Sequence, residues 1–235
     1  MTRALVIAVG FALVFISGAQ AVGDPARGRE LFLTGCQSCH GVDARGLHGK
    51  GPSLHDVGAL SADFYLSTGR MPLDEPETQP DRMDPAYGER ALEDLVAYVG
   101  SLGGPAIPTV DLSGTSLSEG QRLFTQNCAA CHQVVGRGGV ISGAFVPTLL
   151  EATPTQVVEA ARIGPYVMPR FGEQQLSDDE LASIARYVEY AKNPENPGGW
   201  GLFDVGPVPE GMVAWLVGLG ALLIVIRALG KRESE

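Results

Sequence analysis

The pentapeptides Cys36-Gln37-Ser38-Cys39-His40 and Cys128-Ala129-Ala130-Cys131-His132 take up all four cysteines of the 235-residue chain and two of its four histidines. Such a Cys-x-x-Cys-His turn is the attachment signature of c-type haem. Its two thiols lie one helical turn apart, within reach of the two vinyl groups of one porphyrin, and the next imidazole meets the iron from the same side. Other uses of these cysteines fit poorly. A zinc site made of two Cys pairs brings them within about 15 to 20 residues of each other, whereas these begin at 36 and 128. A thioredoxin-like pair calls for no following histidine, and a disulfide framework spreads its cysteines over the fold instead of setting two in each of two pentapeptides. The chain is therefore expected to bind two haem c groups covalently, and each must sit in a cleft opened by a short helix.

The surroundings of the two motifs repeat. Gly28-Arg29-Glu30-Leu31-Phe32 precedes the first, and Gly120-Gln121-Arg122-Leu123-Phe124 stands at the same distance before the second. Each copy closes on an amphipathic stripe, Leu92, Leu95, Val96 and Val99 in one and Leu181, Ile184, Ala185 and Val188 in the other, with Tyr98 and Tyr187 in equivalent places. That i, i+3, i+4, i+7 pattern predicts helices. Their starts are expected at Asp24 before Pro25, at Ser118 with Gln121, at Asp84 before Pro85, and at Ser177 with Glu180. Strand signals are nearly absent, so the fold class is mainly α. The expected organisation is a first domain over 24–102, a linker over 103–117, a second domain over 118–192 and a linker over 193–210. A domain of about 80 residues is marginal on an apolar core alone, and haem would supply the rest.

Both ends are apolar. Arg3 is followed by an uncharged stretch from Ala4 to Gly23 containing Ala19-Gln20-Ala21, so residues 1–21 read as a signal peptide or an N-terminal membrane anchor. Residues 211–230 read as a transmembrane helix. Trp215 suits an outer interfacial belt, and Arg227, Lys231 and Arg232 form a positive flank that belongs in the cytoplasm. The domains between would then lie on the extracytoplasmic side of the cell membrane.

The far side of each iron needs a ligand. Met71-Pro72 and Met168-Pro169 occupy matching positions between the Cys turn and the closing helix. The proline disfavours the α region at the preceding methionine and keeps the loop extended, which suits a thioether aimed at a haem. The expected axial sets are His40 with Met71 and His132 with Met168, with Met83, His48 and His55 as fallbacks for the first iron. His/Met ligation raises the reduction potential and fills both axial sites, which favours electron transfer over oxygen chemistry. Pro52 and Pro147 occupy corresponding sites after each motif, either as carbonyl acceptors for the second ring nitrogen of each histidine or simply as turn formers. Arg70 and Arg170 flank the methionines, either as partners for haem propionates or as solvated surface cations.

The formal net charge of −10 argues against a nucleic-acid partner and suits a basic one. It is spread over stretches such as Asp74, Glu75, Glu77 and Asp81, or Glu173, Asp178, Asp179 and Glu180.

Taken together, the two Cys-x-x-Cys-His domains, Gly69-Arg-Met-Pro72, Met168-Pro-Arg-Phe-Gly172 and the C-terminal Gly206-Pro-Val-Pro-Glu-Gly-Met-Val-Ala-Trp-Leu-Val217 resemble the dihaem cytochrome cc subunit of the actinobacterial cytochrome bcc complex. The resemblance spans essentially the whole chain. It implies two tandem class I cytochrome c-type domains and an electron-transfer subunit of a quinol–cytochrome c reductase whose menaquinol site lies on another subunit. It also implies a cytochrome b subunit, a Rieske iron–sulphur subunit and a haem-copper oxidase as partners. The first haem would then face the Rieske centre and the second the copper centre of the oxidase. The alternative is an independent membrane-anchored dihaem carrier for another terminal reductase or oxidase. A dihaem enzyme such as a peroxidase needs an open iron, which the paired Met-Pro loops disfavour.

Overall fold

A computed structural model describes residues 23–75, 79–195 and 207–232. The N-terminal stretch to Ala21, expected to be a leader or an anchor, lies outside the described residues. The rest divides into one unit that ends at Ala191 and a second that begins at Lys192.

In the first unit α1 (Pro25–Gly35) runs straight into the short α2 (Gln37–His40), followed by α3 (Gly58–Ser67) and α4 (Glu89–Gly100). The second copy repeats this order with α5 (Leu117–Asn127), α6 (Ala129–His132), α7 (Pro154–Ile163) and α8 (Asp178–Lys192). Between α6 and α7 it adds an antiparallel hairpin of β1 (Gly139–Ile141) and β2 (Ala144–Val146), in which Val140 pairs with Phe145. The fold is mainly α, as the sequence predicts. The hairpin is an addition, although Ser142-Gly143 between β-branched and aromatic residues is a legible turn signal.

The expected stripes face inward. Leu95, Val96 and Val99 are buried in α4, as are Leu181, Ile184, Ala185 and Val188 in α8. Full burial of one such side chain is worth about 1.5–3 kcal/mol. Phe32 packs on Tyr98 with ring centroids 5.1 Å apart, and Phe124 packs on Tyr187 at 5.2 Å, both tilted by about 50°. The repeat seen in the sequence is thus a repeat of packing.

Two of the four expected helix starts are displaced. Ser116, not Ser118, caps α5: its extended backbone lets its hydroxyl accept from the Glu119 amide at 3.3 Å. The Glu119 carboxylate turns instead to Arg122, accepting from its Nε at 2.9 Å. α4 begins after Gly88, which has no capping side chain, so Asp84-Pro85 lies ahead of the helix. Asp24 caps α1 as expected, accepting from the Ala26 amide at 2.9 Å. Ser177 and Glu180 also form their reciprocal box. Asp94 in α4 secures the chain start, accepting from the Asp24 amide at 2.6 Å and from Arg27 Nε at 2.8 Å. The Arg27 guanidinium holds the Asp94 carboxyl down at about 2.

The domains meet through α3 and α7. Gln156 donates from Nε2 to Ser67 Oγ at 2.9 Å and accepts from Arg82 at 3.0 Å. Tyr65 meets Tyr166 edge-on with centroids 6.2 Å apart. Gln156 is also the reciprocal partner of Thr153 in the box that starts α7, so one side chain both caps a helix and joins the domains.

In the second unit α9 (Pro207–Arg232) contains Gly211–Gly230, a 20-residue stretch of mean hydropathy 2.3 that is long and apolar enough to cross a membrane.

Candidate functional site

Each Cys turn is built by a break in a helix. The Cys36 amide still bonds back to the Phe32 carbonyl at 2.8 Å, closing α1, while its own carbonyl starts the next turn by accepting from the amides of Cys39 and His40 at 3.2 and 3.0 Å. Cys128 does the same between Phe124 and the pair Cys131 and His132, at 2.8, 3.1 and 2.9 Å. Both thiols of each motif are therefore carried on one rigid turn together with the imidazole.

The histidines are oriented from behind. His40 Nδ1 lies 2.9 Å from the carbonyl oxygen of Pro52, and His132 Nδ1 lies 3.2 Å from that of Pro147. A carbonyl only accepts, so Nδ1 carries the proton and Nε2 keeps its lone pair for a metal. Burial holds the His132 imidazole below its usual range, which favours the same neutral form. The Tyr187 hydroxyl donates to the Val134 carbonyl at 2.9 Å, tying the loop after the second motif to α8.

In the second domain Cys128, Cys131, His132 and Met168 all line one cleft. The cleft continues inward over apolar walls that include Phe124, Leu149, Val157, Leu181 and Ile184. The Met168 loop is fastened to α7: the Phe171 amide donates to Ala161 O at 2.8 Å, and Arg162 donates to the carbonyls of Phe171 and Leu176 at 3.0 and 2.8 Å. Two thiols, an imidazole and a thioether around an apolar slot fit a haem c. They are the donors a thioether-linked porphyrin needs, and the walls suit its ring.

In the first domain Cys36, Cys39 and His40 sit on α2, and Met71 follows α3, where its amide donates to Tyr65 O at 3.1 Å. The fallback groups lie elsewhere on the first domain. Met83 is 65% exposed, His48 is exposed, and His55 Nε2 is taken up by the Asp43 carbonyl at 2.9 Å. Among the described residues no group of three or more His, Cys, Asp or Glu is placed to hold a metal ion by itself. Arg170 is exposed, as a surface cation would be. Arg70 is not: it is 8% exposed and lies over the Phe64 ring, 5.3 Å from its centroid. The two differ in register as well, Arg70 standing just before Met71 and Arg170 two residues after Met168.

Comparison with known families follows the same division of the chain. Residues 25–103 match the family described as "Cytochrome c", and residues 115–188 match "Cytochrome C oxidase, cbb3-type, subunit III". The cytochrome bc1 complex cytochrome c subunit of Mycobacterium tuberculosis is 39% identical, over 98% of this chain and 88% of its own length. The chain belongs to the cytochrome c subunits of cytochrome bc1 complexes. The same subunit of Corynebacterium diphtheriae is 37% identical over 88% of this chain and 80% of its own. A more distant relative is the Cbb3-type cytochrome c oxidase subunit CcoP of Azospirillum sp., 28% identical over 69% of this chain and 60% of its own. This cytochrome c subunit is an electron-transfer protein with covalently bound haem c, and its two domains are both cytochrome c-type.

Proposed function

We propose that the chain carries two haem c groups and passes electrons from the Rieske iron–sulphur protein of a menaquinol-oxidising complex to the copper centre of a haem-copper oxidase. Haem c supplies a one-electron iron centre, and the protein's part is to hold and tune it. Cys36 and Cys39, and Cys128 and Cys131, provide the thioether sulphurs. His40 and His132 offer Nε2, held in place by the carbonyls of Pro52 and Pro147. Met71 and Met168 offer sulphur from the opposite side, which raises the potential and closes the iron to oxygen. The observation that carries this reading is the His–carbonyl bond repeated in both domains, because a carbonyl behind Nδ1 directs the other nitrogen to a metal.

The partners are inferred from the relatives' printed names, which place them in cytochrome bc1 complexes. A cytochrome b subunit and a Rieske protein are the expected neighbours. The likeness to an oxidase subunit is consistent with an oxidase as the electron acceptor. α9 anchors the chain, with the positive flank at Arg227 in the cytoplasm and the haem domains outside.

Acid denaturation followed by organic extraction tests the cofactor: two equivalents of haem should stay with the polypeptide. Purification in mild detergent tests the complex. Elution without a cytochrome b and a Rieske protein would leave an independent membrane-anchored carrier as the function.

A further inference from the structure

The wall that completes the second domain's cleft is supplied by the first domain. Arg70 lines both the cleft that holds Cys128, Cys131, His132 and Met168 and its apolar continuation, and Arg82 and Phe64 join it in the latter. In that inner part every other charged or polar side chain comes from the second domain, as His132, Thr148 and Gln156. Arg70 and Arg82 are its only lysine or arginine side chains among the described residues. They stand at one side of a slot whose remaining walls are mainly apolar.

Both cations are held in place. Arg70 is buried, with its guanidinium carbon over the Phe64 ring. A guanidinium carries five N–H donors suited to oxygen ligands. Among the described residues no carboxylate lies within ion-pair distance of it, and Asp81, which lines the same cleft, acts on it only from further away. Arg82 donates to Gln156 Oε1 at 3.0 Å and reaches Glu151 at 3.7 Å, both across the domain boundary. A buried cation left without a carboxylate is costly. Here one stands beside a second arginine, at the edge of a cavity whose mainly apolar walls suit an apolar ring.

Haem c has that shape: an apolar macrocycle with two carboxylates on one edge. We propose that Arg70 and Arg82, residues of the first domain, bind the propionates of the haem seated in the second domain. The inference rests on the reading that the second domain carries a haem. It makes the junction of the two domains part of a cofactor site, and it gives the first domain a hand in setting the second haem's potential. A nearby cation favours the reduced iron and keeps the propionates ionised.

The test uses full-length protein in detergent and spectroelectrochemical titration, with Cys39→Ala and Cys131→Ala chains retaining one haem each to assign the two potentials. With Cys39→Ala present, Arg70→Gln should lower the remaining, second-domain haem's potential and make it vary with pH near neutrality as a propionate begins to titrate. Arg70→Lys, which keeps the charge, should restore most of both properties. Arg82→Gln should act on the same haem in the same direction, and it serves where Arg70→Gln fails to take up haem. Two haems per chain with an unaltered second potential in both Gln variants would overturn the inference while leaving the dihaem reading intact. A shift confined to the first haem would overturn it too. Absence of a second haem from the unmodified protein would defeat the underlying reading instead.

Discussion

Gly120 of α5 crosses α8 at Ser183 so closely that a Cβ on the glycine would stand 2.0 Å from the Ser183 carbonyl oxygen. The first domain repeats this contact between Gly28 and Asp94, at 1.9 Å. The glycine that opens each copy of the repeat is therefore the point where the first and last helices touch backbone to backbone. This crossing is what brings Phe124 onto Tyr187 and Phe32 onto Tyr98.

Gly120→Ala forces that crossing apart. Overpacking a tight contact costs about 1–3 kcal/mol, and a neighbour that is backbone, not the end of a flexible side chain, puts the cost at the upper end. Thermal unfolding followed by circular dichroism should show a lower Tm. An unchanged Tm would mean that the two helices are free to separate.

Met168→Leu removes the proposed sulphur ligand of the second iron and preserves most of the side chain's volume. The second haem's potential should fall while the first stays as it was. A redox titration that matches the parent protein would point to a different ligand.

Glu159 is fully buried in α7, and its carboxyl faces that of Asp63 on α3, with which it shares a hydrogen bond when protonated. Burial, then the charge of Asp63 on α3, push its carboxyl up from 4.5 to about 9. Asp63 is raised by burial as well. Between these limits the folded chain binds a proton that the unfolded chain has released. This contribution is complete below about 4.5 and is lost as the pH rises toward about 9. Glu159→Gln keeps the neutral form at every pH. Its melting temperature should therefore fall less between pH 5 and pH 9 than the parent's, and equal slopes would refute the assignment.

Deleting Gly211 to Glu235 from a chain made with a cleavable leader in place of residues 1–21 should move the protein from the membrane fraction to the soluble one. The deleted stretch contains the segment of mean hydropathy 2.3. Retention in washed membranes would place an anchor elsewhere.

What the sequence by itself determined is local. A Cys-x-x-Cys-His turn, a stripe of apolar residues at helical spacing, a methionine held extended by its proline, and a serine three residues before a glutamate each act within a turn or two of chain. Their outcome is written in neighbouring positions, so the mainly α fold and the duplicated cytochrome c-type domain were legible. The two displaced helix starts show the limit of even that reading, because Ser116 and Ser118 are both capping residues and only the structure gives the cap to Ser116. What only the tertiary structure decided is how the two copies meet. Arg70, directly before Met71, is buried at the second domain's cleft, whereas Arg170, two residues after Met168, is exposed. The double duty of Gln156 and the pairing of Asp63 with Glu159 likewise depend on α3 packing against α7. Those contacts join residues far apart in the chain, and their energies come from burial and charge at an interface that no spacing along one segment encodes.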